Sequence, residues 1–416
     1  MRASWTRLLL AASAIIAPWG ARALSAGEQL TLADALTRAR TQPALRAAQA
    51  EVEAARARLA QAGLIQANPV ITGDGAWHRT PPDTHVDSAI TLGQEVEVGG
   101  QRGLRLSSGQ YDVDRAEHLF ADKSRTVDGE VRRAFFGLAA TERRKALAAE
   151  SATIAKRVLE TTQRRARAGD VGDLEVQLAQ IESTRAAQAV ATAETDRARA
   201  VARFATAIGA DAQESLVIAV ADTTPAALPA LPPEDTLVTQ ALDTRPDLAA
   251  ARAERARLEA EARLTHRRAL VPNPTIRGFY RHEQANEQIV GGEIEVPLPV
   301  WNRDQGTEAA LYANARGASA EADRLAREIP RQIHLAVARR NAAADAWTRY
   351  ERDTVPATNS ARDLIERAYA SGYLGLPDVL AQQDRLLQIR SAAIAAWLDL
   401  REAEADLIEA VGEEPK

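Results

Sequence analysis

Cysteine is absent from the 416-residue chain, which removes disulfides, zinc-thiolate and iron-sulfur sites, thiol nucleophiles and any acyl anchor on cysteine. Aromatic residues make up only 4% of it and methionine occurs once, so the expected packing is the thin contact of long Ala-rich helices. Long apolar runs are missing too: beyond residue 23 nothing approaches the roughly 20 consecutive apolar residues of a membrane helix. Nor is there an excess of positive charge. Fifty-two Lys and Arg face 57 Asp and Glu, a net charge of -5, whereas binding a phosphate backbone requires a cationic face; no nucleic-acid partner is expected. No Gly-rich phosphate loop, nucleophile elbow or cluster of metal ligands occurs, so the sequence predicts neither an enzyme nor a cofactor.

Residues 1–23 read as a secretory leader: Arg2 and Arg7, an apolar stretch over 8–17, and the cleavage-type triplet Ala21-Arg22-Ala23. Without the three leader arginines, 49 basic residues remain against 57 acidic ones, a mature charge of -8.

The rest is a duplication. Thr41-Gln42-Pro43-Ala44-Leu45 resembles Thr244-Arg245-Pro246-Asp247-Leu248 at an offset of 203 positions, and the same offset relates Gly103 to Gly306, Gly169 to Gly372, Gly172 to Gly375 and Gly209 to Gly412. The expected organisation is a first repeat over 24–209, a Pro-rich linker over 210–234, a second repeat over 235–412 and a tail over 413–416. Each repeat reads helix, two strands, helix, tight turn, helix. Segments 31–66 and 235–270 carry Leu and Ala at three- and four-residue spacing, with Pro43 and Pro246 ending or kinking a short first helix. Segment 104–168 lacks proline and would extend about 100 Å as one helix. Its counterpart, 307–371, contains Pro330 and Pro356, where bends are expected.

Strands are predicted at 70–79 and 86–98, with a loop over 80–85, and at 275–282 and 290–298, with a loop over 283–287. In 86–98 the apolar Val86, Ile90, Leu92, Val96 and Val98 alternate with Asp87, Thr91, Gly93, Glu95 and Glu97; in 290–298 Val290, Ile294, Val296 and Leu298 alternate with Glu293 and Glu295. Strands of about 10 residues with one apolar and one acidic face suit a membrane barrel, although a half-buried sheet alternates in the same way. A secreted chain of rod-like helices offers no globular core for such a sheet. Four strands cannot close a barrel alone, and open edges are not tolerated in lipid. Two copies would give eight strands with a filled interior, and three would give twelve with an aqueous path, so a homotrimer is predicted.

The order of elements, the duplication and the turn Gly372-Tyr373-Leu374-Gly375-Leu376-Pro377-Asp378-Val379-Leu380 resemble the TolC-like outer-membrane efflux family over essentially the whole mature chain. Glu97-Val98-Gly99-Gly100-Gln101-Arg102-Gly103 and the stretch from Pro297 to Gly306 resemble its cobalt-zinc-cadmium type, with Gln101 where Lys is usual and without the N-terminal cysteine many relatives carry. The resemblance implies a mainly α protein with a membrane β-barrel: long helices forming a periplasmic tunnel, and four strands per chain in a trimeric twelve-stranded outer-membrane barrel. It implies an exit duct of a tripartite resistance-nodulation-division system, partnered by a periplasmic adaptor and a proton-driven inner-membrane pump, and exporting heavy-metal cations such as cobalt, zinc or cadmium by passive conduction. The alternatives are the same duct for drugs or type I secretion, and a periplasmic coiled-coil adaptor without a pore.

Asp378 matches the family's acidic position at the periplasmic aperture, where three copies would form a carboxylate ring; the other reading is an Asp stabilised by its helix dipole. Ala381 stands where a second acid is frequent, so the ring would borrow Asp384, Asp173 or Glu175. Gly169, Gly172, Gly372 and Gly375 are candidates for the adaptor-contacting tip as well as turn residues. Glu95, Glu97, Glu293 and Glu295 are candidate lumen acids. His78, His85 and His282 fall near the hairpins and His118, His266 and His334 on helices, none at i, i+4 spacing, so no metal site is expected. Arg164-Arg165-Ala166-Arg167 reads as a solvated helix face.

Overall fold

The computed structural model describes residues 29–80, 83–211, 216–219, 230–283 and 287–413. The expected leader and two stretches of the expected linker, 212–215 and 220–229, lie outside them. Thr31 caps α1 (Leu32–Ala39) in a reciprocal box with Asp34. Pro43 then opens α2 (Pro43–Ala62) at its first position, where a missing N–H costs nothing. The second half repeats the device: α5 (Glu234–Thr244) ends two residues before Pro246, which opens α6 (Pro246–Leu270).

Helix α3 (Gln101–Ala168) runs 68 residues without a break, about 100 Å. Its counterpart is divided into α7 (Gln305–Arg349), a π-helical turn (Tyr350–Thr354) and α8 (Val355–Ala370). Pro356 has no N–H for the carbonyl four residues back, and the wider π turn before it absorbs that defect. Pro330, in contrast, does not end α7. Ile329 and Ile333 beside it are fully buried against Leu237, Leu248, Leu407 and Val411, and that packing holds the helix across the missing hydrogen bond.

Two glycines in the left-handed region, Gly169 (φ 84°) and Gly372 (φ 79°), reverse the chain into α4 (Asp173–Ile208) and α9 (Leu376–Val411). At the far ends of α4 and α9, Gly209 and Gly412 also take positive φ. Each abuts the residue that precedes a repeat proline: a Cβ on Gly209 would sit 2.9 Å from Cβ of Gln42, and one on Gly412 would sit 3.5 Å from Cγ of Arg245. The recurring glycines thus occupy equivalent joints in the two halves.

The main core lies at mid-height, where Val131, Phe135 and Leu138 of α3, Phe204 of α4 and Trp397 of α9 pack around α1. A parallel bridge between Leu30 and Ile218 closes it. Beyond the other end of α2 and α6, β1 (Val70–Thr80), β2 (Asp83–Glu95), β3 (Thr275–Glu283) and β4 (Glu287–Glu295) form one antiparallel sheet in sequence order. The hairpins are tighter than the sequence suggests, since pairing runs to Thr80 opposite Asp83 and Glu283 opposite Glu287. Both return strands stop at a glutamate, Glu95 and Glu295, short of the expected ends. Among the described residues no helix is long and apolar enough to cross a membrane.

Candidate functional site: the sheet and the helical tips

Register sorts every strand residue onto one of two faces, because side chains alternate with period two. Opposite pairs Ile71–Leu92, Trp77–Val86, Ile90–Tyr280, Ile276–Ile294 and Tyr280–Val290 share one face. All of these side chains are exposed, up to 81% for Val290. An apolar face of this extent, left bare by the chain's own helices, requires a non-aqueous neighbour. The opposite face carries Asp74, Asp87, Glu95, Glu283, Glu287, Glu293 and Glu295 among its described residues, against Arg277 and Arg281. The outer edges of β1 and β4 pair with no described strand.

Glu95 lies on the polar face and accepts a hydrogen bond from Asn273 Nδ2 at 2.7 Å. Glu293 and Glu295 share that face, but both are ion-paired to Arg277 of β3, Glu293 at 3.0 Å. Their charge is therefore partly neutralised, a compensation invisible from the alternation of β4 alone. Glu97 must be corrected. It lies beyond the end of β2 and grips Arg105 of α3 in a largely buried pair. Arg105 also donates to the carbonyls of Ala62 (2.7 Å) and Leu64 (3.1 Å). Glu97 thus fastens the sheet's exit to the end of α2 and cannot serve as a free acid on the polar face.

The histidine reading changes as well. His78 and His85 are directly opposite across the first hairpin, and their rings stack with centroids 4.9 Å apart at 9°. Asp87, two residues beyond His85 on the same face, brings Oδ2 to 3.1 Å from His78 Nε2 and Oδ1 to 3.8 Å from His85 Nε2. Helical spacing could not reveal this set. The signal was the hairpin itself, because pairing about positions 81 and 82 puts 78 opposite 85.

At the other end, the two reversals lie side by side. Val158 of α3, Ala179 of α4, Tyr369 of α8, and Leu376 and Val379 of α9 form one small core, and the Tyr369 hydroxyl is 2.5 Å from Thr162 Oγ1. Arg165 lies over the Tyr369 ring, its guanidinium carbon 5.4 Å from the centroid, so this member of the arginine run is packed and not simply solvated. Gly169, Gly172, Gly372 and Gly375 are all exposed here, with Tyr373 (88%) and Leu174 (68%) projecting beside them. Asp378 occupies the first turn of α9, exposed. Asp384 stands 3.6 Å from Arg185 of α4, while Asp173 and Glu175 open α4. Higher up, Glu150 of α3 binds Arg362 of α8 and, at 2.8 Å, Arg390 of α9. One carboxylate therefore ties both limbs of the second helical hairpin to the long helix of the first.

The arrangement matches known proteins. The profile described as "Outer membrane efflux protein" covers residues 35–210. The chain is 27% identical over 309 residues, 73% of its length and 72% of the relative's, to the cobalt-zinc-cadmium resistance protein CzcC of Cupriavidus metallidurans. It is 28% identical over 234 residues, 54% of its length and 50% of the relative's, to the nickel-cobalt-cadmium resistance protein NccC of Alcaligenes xylosoxydans xylosoxydans. The fold is that of the Campylobacter jejuni CmeC outer membrane channel, with a TM-score of 0.74 over 92% of this chain and 87% of that one at 15% identity.

Proposed function

Because the chain belongs to the outer membrane efflux protein family and is an outer-membrane channel of TolC-like fold, we propose that three copies form the exit duct of a tripartite system that expels heavy-metal cations. The observation that carries this reading is the sheet with two open edges, an exposed apolar face and an acidic face. Open edges are not tolerated in lipid and must be closed by other copies. With twelve strands the barrel encloses water, the polar face becomes its lumen and the apolar face meets lipid. Residues 1–23 are the export leader in this reading, and the two repeats, 24–209 and 235–412, supply two strands each.

The duct conducts passively, with a proton-driven inner-membrane pump of the resistance-nodulation-division class supplying energy through a periplasmic adaptor. The exposed tips around Gly169, Gly172, Gly372 and Gly375 are the docking end. Asp378 lines the aperture there, and three copies would favour cations over anions. Planar-bilayer recordings test this: Asp378→Ala should reduce cation selectivity, and unchanged conductance and selectivity would remove Asp378 from the gate.

Metal cargo is supported by the two curated relatives, both named for metal resistance, and by seven carboxylates against two guanidiniums among the described residues of the polar face. A strain lacking this gene should lose tolerance to cobalt, zinc, cadmium or nickel and regain it on complementation. Unchanged metal tolerance accompanied by new sensitivity to organic drugs would overturn the metal reading and leave the duct intact.

A further inference from the structure

We propose that His78, His85 and Asp87 form a binding site for a divalent transition-metal ion on the polar face of the first hairpin, one site per chain. The set is assembled by register, with His78 opposite His85 and Asp87 following two residues later on the same face. Ala76, opposite Asp87, is small and leaves the carboxylate room to lean diagonally towards His78.

The donor atoms lie close enough together to be gathered by one ion. Zinc lies about 2.0–2.2 Å from imidazole nitrogen and carboxylate oxygen, so two donors on the same ion stand no more than about 4.3 Å apart. Asp87 Oδ2 and His78 Nε2 are 3.1 Å apart, and Asp87 Oδ1 and His85 Nε2 are 3.8 Å apart. All three groups offer atoms within 4.8 Å of one another. Because the two rings are stacked at 9° and an imidazole binds a metal in its own plane, both rings must turn out of the stack to aim at a shared ion, and water fills the fourth position.

Two observations separate this cluster from an ordinary charge pair. Asp87 Oδ1 is buried and has no hydrogen-bond partner among the described residues. At 3.8 Å from His85 Nε2 it is too far to accept one, yet it is within reach of an ion between them. Further, Glu293 and Glu295 on the same sheet face are balanced by Arg277, whereas among the described residues Asp87 is ion-paired to the two imidazoles and to no guanidinium. Two nitrogen donors and one oxygen select zinc, cobalt, nickel or copper over magnesium and calcium, which take oxygen.

His78 lies eight residues beyond the start of β1, about 27 Å along the strand, two residues from the hairpin end at Thr80. In the proposed trimer, three such sites ring the mouth farthest from the helical tips. The site rests on hairpin geometry and not on the cargo reading: a channel that binds zinc here need not export it, and the tolerance experiment is unaffected by the outcome.

The test uses the full-length assembled channel, purified without a polyhistidine tag and titrated with zinc chloride by calorimetry and with cobalt chloride by visible absorption. One ion per chain is expected, unaffected by millimolar magnesium or calcium, with affinity falling about tenfold or more in His78→Gln and His85→Gln. Absence of binding by the wild-type channel overturns the proposal, as does equal binding by variants that remain heat-resistant oligomers. Should the variants fail to assemble, X-ray absorption of zinc on the wild-type channel decides: two imidazole nitrogens in the first coordination sphere support the site, and one or none overturns it.

Discussion

Asp247 follows Pro246 at the joint where the second repeat begins, and its carboxylate is the chief partner of Arg245, a side chain 4% exposed. Burial pushes the Asp247 carboxyl up, but hydrogen bonds and charge from Arg245, the Leu248 N–H and the charge of Arg125 outweigh it and hold the carboxyl below its usual range. A depressed folded value means the pair contributes fully above the ordinary aspartate range, and that contribution fades as pH falls through the folded value. Asp247→Ala would leave Arg245 with Gln332 Oε1 at 2.7 Å and the Ala410 carbonyl at 3.1 Å, and should cost about 1–3 kcal/mol at pH 7. Melting curves check the sign: the variant should melt below wild type at pH 7, and the gap should narrow by pH 3. A gap independent of pH would show that packing, and not charge, is what the substitution removes. The first repeat places Gln42, also buried, at the corresponding joint, and it has no aspartate beside it, because Ala44 stands where Asp247 does.

At the scale of elements, the turns at the tips separate geometry from recognition. Gly169 and Gly372 take φ of 84° and 79°, while Gly172 and Gly375 take −87° and −73°, values open to any residue. Alanine at Gly169 or Gly372 should therefore destabilise the local turn by roughly 1–2 kcal/mol. At Gly172 nothing lies within 4 Å of an added Cβ, and at Gly375 the nearest atom is Asp378 Oδ2 at 3.6 Å, so alanine should leave the fold unchanged. Adaptor cross-linking and efflux assays on Gly172→Ala and Gly375→Ala then read docking alone. If both variants are fully active and cross-link as wild type does, those two glycines are turn residues only. Helix boundaries of this kind were legible in the sequence because Pro and Gly punctuate them: Pro43, Pro246, Gly169 and Gly372 all stand at the joints they mark. What could not be read was lateral pairing between elements. The Arg277 clamp on Glu293 and Glu295, the Glu97–Arg105 strut and the His78–His85–Asp87 set depend on which strand or helix is the neighbour. Alternation along one strand carries no information about the next.

For the whole molecule, an uninterrupted helix of about 100 Å leads to strands of 9–13 residues, so the chain is a long strut ending in an open four-stranded sheet. The strand number itself permits closure. In an antiparallel sheet ordered β1-β2-β3-β4, β1 and β4 run in opposite directions, so β4 of one copy can pair antiparallel with β1 of the next and the pattern continues around a ring. Such head-to-tail contacts close only if the rotation completes a circle, and three copies give the smallest ring with room for water. Absence of native cysteine makes this testable without background. Thr72→Cys on the polar face of β1, combined in turn with cysteine at Ile289, Gly291, Glu293 or Glu295 on the same face of β4, should yield one pairing that oxidises between neighbours. Its non-reducing gel should show a ladder ending at three chains. A ladder ending at two would leave an eight-stranded barrel filled by its own side chains and sink the aqueous duct, and a ladder running past three would show an open chain of sheets that cannot seal against lipid.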